Sequence, residues 1–309
     1  MTVFADAGII QRLNNEFVPF AGERHEMSRR PSAIKDWFFP MASSVNARLA
    51  NPVTTSQGFY IAGADGQAYG FYHNVRDPQR IQQFMNASLT KLRASPPKPV
   101  DIPQGPIAGA TNVGPAPTTS VIRVFERITP LPAGAHETNT RVGRDHLWIF
   151  ADEVKAMLDA AKGGQPFAMP QNVVLRIARF HLTDNIRGQP DRWRAEEVKK
   201  AAATVKPAGC SGDRERFTFS GEFALQTASN ARGLEGKLDG EFELDAKAAK
   251  IVRFRAYGET QAWGDHTHAR NSPAGKFPLV FAMVDANDAS AKAVPPSSYY
   301  YQEPYKDPR

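Results

Sequence analysis

Four long segments in the last third of this chain alternate apolar and polar side chains with a period of two. They read RFTFSGEFALQT, LEGKLDGEFELD, KIVRFRAYGETQAW and FPLVFAMVDA, in succession from residue 216 to residue 286. A period of two places alternate side chains on one face of a strand, whereas a helix needs 3.6. Glycine, asparagine and short polar runs separate the segments, as turns require. Consecutive strands of this kind pair antiparallel, which predicts a sheet closed into a barrel or packed as a sandwich.

The residues before this run mix both periods. Val121–Ile128 alternates as a strand. A helix is predicted from about Asp152, with Val154, Met157, Leu158 and Ala161 on one face and Gly163-Gly164 ending it. A second helix is predicted from Val173 to Phe180, with Val174, Ile177 and Ala178 inward. Residues 195–206 suit either helix or strand. The proline- and tyrosine-rich tail from Ala293 is expected to be irregular.

The first hundred residues are organised differently. Ile9, Ile10 and Leu13 share a helical face behind a capping Asp6. Phe17-Val-Pro-Phe20 reads as a short buried strand. Phe59–Ala62 and Tyr69–Tyr72 flank Asp65-Gly66, a strong hairpin signal. Asp77-Pro78 then opens a helix through Leu92, with Ile81, Phe84, Met85 and Leu89 inward. Residues 94–120 carry seven prolines, three glycines and almost no large apolar side chain, the composition of an extended linker. The expected organisation is a domain at 1–93, a linker at 94–120, an α+β domain at 121–290 and a tail at 291–309.

LNNEFVPF (13–20) and GFYIAGADGQAYGFYHN (58–74) resemble the central strand and final hairpin of the thioredoxin-like fold. RDHLWIFADEV, RIARFHLTDNIRGQPDRW and RGLEGKLDGEFELDAKAAKIVRFRAYGETQAWG complete a resemblance, from about residue 3 to residue 285, to an uncharacterised bacterial family. That family joins a thioredoxin-like domain to a mixed α/β region. The resemblance implies an α+β protein with a truncated thioredoxin-like module. The family's first strand and Cys-x-x-Cys turn have no counterpart, because Met1 stands almost where the first helix begins. The redox role therefore does not carry over.

Cys210 is the only cysteine. One thiol closes no intramolecular disulfide, forms no dithiol couple and supplies no multi-cysteine zinc site. It is expected on a loop, as a spectator. The 38 basic and 32 acidic residues leave a net charge of +6, but they are interspersed without basic–aromatic tracts, so nucleic acid is not an expected partner. The apolar runs fall short of the ~20 residues a bilayer span requires. A cytoplasmic location is expected, with export after loss of a leader as the alternative.

Two segments concentrate polar chemistry. In 141–150 and 175–193, Asp145 or Asp184 could orient His146 or His181 as a general base, while Arg144, Arg179, Arg187 and Trp193 could bind an anionic ligand. Histidines flanked by Leu147-Trp148 and by Phe180 and Leu182 serve packing as readily, and no nucleophile, phosphate loop or metal triad accompanies them. His266 and His268, two apart on an expected strand, could share a divalent transition metal with Asp265 or Glu259 nearby. His25 and His136-Glu137 are weaker candidates on loops. The leading expectation is a non-catalytic binding or scaffolding protein, with an unknown protein or small molecule as partner and no cofactor. Metal binding or metal-assisted hydrolysis by His266 and His268 with His146 or His181, and anion recognition by 176–194, stand as alternatives.

Overall fold

The alternating segments pair as their pattern requires. The computed structural model describes residues 6–20, 33–46, 58–73, 77–100, 119–188, 191–266, 268–286, 288, 295–297 and 303–309. It is a mixed α+β structure with antiparallel sheets, in two compact units, Met1–Asn112 and Val113–Arg309.

In the first unit, helices α1 (Ala7–Glu16), α2 (Ala33–Val45) and α3 (Pro78–Ala94) surround a hairpin of β1 (Phe59–Ala62) and β2 (Ala68–Tyr72). Strand alternation explains the layering. Phe59 and Ile61 pack with Ile9, Ile81 and Met85 of α1 and α3 on one face, while Tyr60 and Ala62 meet Phe38, Met41 and Ala42 of α2 on the other. Asp6 and Asp77 cap α1 and α3 through their side chains, each accepting a backbone N–H. The buried strand expected at Phe17–Phe20 does not form. Phe17 packs against the α1–α3 cluster, but Val18 is 97% and Phe20 65% exposed, and the hairpin sheet has two strands only. Without a neighbouring strand, an apolar run of four residues has nothing to pair with.

The second unit is built on β3 (Ser120–Ile128), β4 (Gly143–Ile149), β5 (Phe167–Ala168), β6 (Val198–Ser211), β7 (Arg214–Gln226), β8 (Gly233–Asp245), β9 (Lys250–Trp263) and β10 (Lys276–Asp285). They form one eight-stranded sheet in the order β4-β3-β10-β9-β8-β7-β6-β5. This corrects the expectation of a barrel or sandwich. Among the described residues of this unit the end strands β4 and β5 do not pair, and all eight strands belong to a single sheet. Helices cover the inner face instead: Val154 and Met157 of α4 (Ala151–Ala161) and Val173 and Val174 of α5 (Gln171–Arg176) join the sheet in one core. A ladder of directly opposed phenylalanines, Phe217, Phe242 and Phe254, runs across β7, β8 and β9 with ring centroids 5.1 and 6.2 Å apart.

Three further expectations change. Residues 195–206 resolve into a short 3₁₀ turn followed by β6. Cys210 lies within β6 opposite Glu215, exposed, and not on a loop. The tail is not irregular throughout: Glu303–Lys306 makes a helical turn, α6, whose Tyr305 is fully buried. No described helix is long and apolar enough to cross a membrane.

Candidate functional site

The polar residues of 171–193 gather around an unusual helical turn. α5 continues as a π-helical turn, Ile177–His181, closed by the Leu182 N–H donating to the Ile177 carbonyl. Residues five apart are roughly 140° apart around an α-helix, but i→i+5 bonding brings them onto one face. The turn therefore places His181 on the side of Arg176, with Arg179 near it, toward edge strand β4.

His181 is fully buried. Its Nδ1 lies 3.0 Å from Asp145 Oδ2. Asp145 in turn accepts from the backbone N–H groups of His146 and Ser297, at 2.7 and 2.8 Å, and from the Ser297 hydroxyl at 2.9 Å. Burial alone would raise the Asp145 carboxyl, but His181 and these donors more than offset it, and the net shift is downward. On its other side His181 Nε2 lies 2.9 Å from the Tyr305 hydroxyl, which also accepts the Trp148 N–H at 3.1 Å. Burial pushes the Tyr305 phenol well above its ordinary value, which keeps it protonated. Aspartate, histidine and tyrosine thus stand in line, closed from solvent.

Two arginines complete this cluster, and both face the chain's own tail. Arg176, fully buried, pairs with Glu153 at 2.8 Å and donates to the carbonyls of Tyr305 and Lys306 at 2.8 and 2.9 Å. Its Nη1 also reaches the Trp148 carbonyl, so Tyr305 and Arg176 together satisfy backbone groups at the edge of β4. Arg179 donates to the carbonyls of Trp193, Pro308 and Arg309. Arg144 points from the opposite face of β4, exposed, and His146 is half-buried there; neither joins the cluster. Burial holds the His146 imidazole below its ordinary value.

Glu126 of β3 lies on the same face of the sheet as Asp145, buried. Burial, then Asp184 and Asp145, raise its carboxyl well above the ordinary range. One oxygen accepts the Asn185 N–H at 2.9 Å; the other has no partner among the described residues.

A separate small cleft of about 20 Å³ opens where β8 begins and β9 ends, with Asp184, Arg187, Trp193, Arg232, Trp263 and His266 in its wall. Arg187 is spent on structure. It donates to Asp184 and Asp265 at 2.7 and 2.8 Å and to the carbonyls of Ala269 and Gly264. Gly188 beside it is packed so closely that a Cβ would fall 1.7 Å from the His268 carbonyl oxygen, which joins the 183–188 loop to the 264–272 turn. The backbone amide of Ser272 and Arg187 outweigh desolvation at Asp265 and draw its carboxyl down to about 2. Trp193 is buried, donating to the Leu182 carbonyl, and the Arg232 guanidinium rests 3.9 Å from its ring centroid. Arg232 uses Nη2 for Thr183 Oγ1 and the Asp191 carbonyl. Among the described residues its Nε and Nη1 donate to no protein oxygen and no carboxylate pairs with it. Desolvation lowers this guanidinium to about 10, so it stays charged at neutral pH. Trp263 lies flat on Gly233 opposite, where no side chain would fit, and donates to Asn230.

His266 and His268 are not on a strand. β9 ends at Trp263, and the pair sits in a tight turn closed by His266 and Ala269. His266 Nδ1 accepts the His268 N–H, which leaves the Nε2 proton for Asp191 at 2.9 Å; both ring nitrogens are engaged. Asp265 is turned to Arg187, Glu259 stands exposed in mid-strand, and no group of three metal-ligating side chains occurs among the described residues. His136 caps a 3₁₀ turn through Nδ1, and His25 lies outside the described residues.

Of the alternatives open in the sequence, the structure places Asp145, His181 and Arg179 in one cluster and leaves His146 and Arg144 outside it, while Arg176, Glu126, Tyr305 and Arg232 were not among the expected site residues. Glu126 alone carried a signal, an acid at an inward position of an apolar strand. No family model, no curated protein and no solved structure matches this chain.

Proposed function

We propose that this protein is a non-catalytic binding protein, and that its second unit takes a small anionic ligand in the cleft between Trp193 and Trp263. The observation that carries the reading is Arg232: a charged, largely desolvated guanidinium held on Trp193 in the cleft wall, whose Nε and Nη1 meet no protein acceptor among the described residues. A carboxylate or phosphoryl oxygen is what such a fork accepts. Arg187 supports the site by fixing its wall. The non-catalytic reading is supported by the burial of the Asp145–His181 pair, the strongest acid–base candidate, which Tyr305 covers.

The first unit fits a redox-inactive scaffold of the thioredoxin-like kind, on the support of its helix–hairpin–helix order and its lack of any cysteine. The test concerns the cleft. Titration with inorganic phosphate, acetate, citrate and benzoate, followed by calorimetry and tryptophan fluorescence, is expected to give saturable binding for at least one. Arg232→Ala should weaken it at least about tenfold, the loss of a charge-assisted bond pair. Equal binding by the folded Arg232→Ala protein would sink the proposal.

A further inference from the structure

The contacts between 143–182 and the chain's end have the form of peptide recognition. Arg176 and Arg179 together donate to main-chain carbonyls at positions 305, 306, 308 and 309. One side chain is read specifically. Tyr305 enters a pocket made by Trp148, Phe180 and Arg176, with ring centroids 6.5 Å from Trp148 and 5.1 Å from Phe180, and its hydroxyl meets His181 and Trp148. Pro308 is the second buried residue, while Lys306, Asp307 and Arg309 are exposed. The pattern is two anchors, Tyr-x-x-Pro, on a clamped backbone. Every reading group belongs to β4, α5 or the π turn, more than 120 residues away in sequence.

We infer that this groove is a peptide-binding site for segments of the Tyr-x-x-Pro type, and that residues 303–309 are its resident occupant, competing in cis with a partner protein presenting the same pattern. Main-chain clamping with a single deep aromatic anchor gives affinity to any segment of that form, and the exposed side chains at 306, 307 and 309 leave it tolerant between anchors. A tethered occupant holds the groove at high effective concentration and so masks it from a free peptide. The π turn is the specificity device, because it alone sets His181 beside Arg176. The groove and the Arg232 cleft meet at Trp193, whose carbonyl accepts from Arg179 and whose ring carries Arg232.

The experiment uses the full chain and a fluorescein-labelled peptide with the sequence of residues 303–309, read by anisotropy. The wild-type protein is expected to bind weakly. Tyr305→Ala removes the resident anchor, frees the groove and should tighten peptide binding at least about tenfold. In that background Arg179→Ala should abolish the gain, and a peptide with alanine for its tyrosine should not bind. If Tyr305→Ala fails to fold by circular dichroism, Tyr305→Phe carries the test, with at least about threefold tighter binding than wild type expected. No gain in a folded Tyr305 variant, or equal binding of the alanine peptide, overturns the inference.

Discussion

His181 Nε2 stands 2.9 Å from the hydroxyl of Tyr305, a residue 124 positions further along the chain, and that contact closes the buried polar cluster of the second unit. Removing the hydroxyl strands two buried partners, the His181 ring nitrogen and the Trp148 N–H. Tyr305→Phe is therefore expected to cost about 1–3 kcal/mol of stability, the desolvation penalty of groups left unpaired. Urea denaturation of the two proteins checks it. A midpoint unchanged within error would mean that the tail contributes nothing to the fold.

Glu126 binds its proton more tightly in the folded chain than in the unfolded one, since burial raises its carboxyl well above 4.5. Stability linked to it is complete below that ordinary value and is lost as pH climbs toward the folded one. Glu126→Gln keeps an acceptor for the Asn185 N–H and cannot ionise. The variant should gain about 1–3 kcal/mol at pH 8, where the acid is penalised, and show a flatter decline of stability from pH 5 upward. Parallel stability curves for the two proteins would refute this.

Asp145 has the opposite sign. Its carboxyl is held below 3.8, so its contribution is present above that value and disappears as pH falls through the folded one. Asp145→Asn removes the carboxylate beside His181 and offers poorer acceptors to Ser297 and His146. A loss of about 3–5 kcal/mol at pH 7 is expected, as for a broken buried pair. The acid limb of the stability profile should flatten in the same variant. A variant with wild-type stability at pH 7 would show that the pair is incidental.

The strands were legible because period-two alternation is a local signal: Phe217, Phe219 and Phe223 point inward wherever β7 ends up. Closure was not legible, because whether β4 meets β5 depends on cumulative twist and on the helices laid across one face. The Phe17–Phe20 run shows the same limit in miniature, since a strand exists only with a neighbour. For the site, Asp145 and His181 stood out by residue type. Tyr305 did not, because the tail carries no periodicity and its partner is an arginine-lined surface from another part of the sequence. The π turn was equally hidden, as its apolar face at Val174, Ile177 and Ala178 fits an ordinary helix. Arg187 and Arg232 are alike by type, and only geometry separates the one bound on all sides from the one with donors to spare in the cleft wall.

That last distinction is itself testable. Arg187 carries four acceptors with its side chain 2% exposed, and its loss would leave Asp184 without a counter-charge in a setting where that carboxylate is mostly buried. Arg187→Ala should therefore cost about 3–5 kcal/mol, and Arg187→Lys should recover less than half of it, because an ammonium cannot reach both carboxylates and both carbonyls at once. Arg232→Ala should cost much less, since it gives up one guanidinium–indole contact and two bonds at the cleft rim, about 1–2 kcal/mol. Thermal and urea unfolding of the three variants ranks them directly. If Arg232→Ala proved as damaging as Arg187→Ala, the division between a wall-forming and a ligand-facing arginine would be lost.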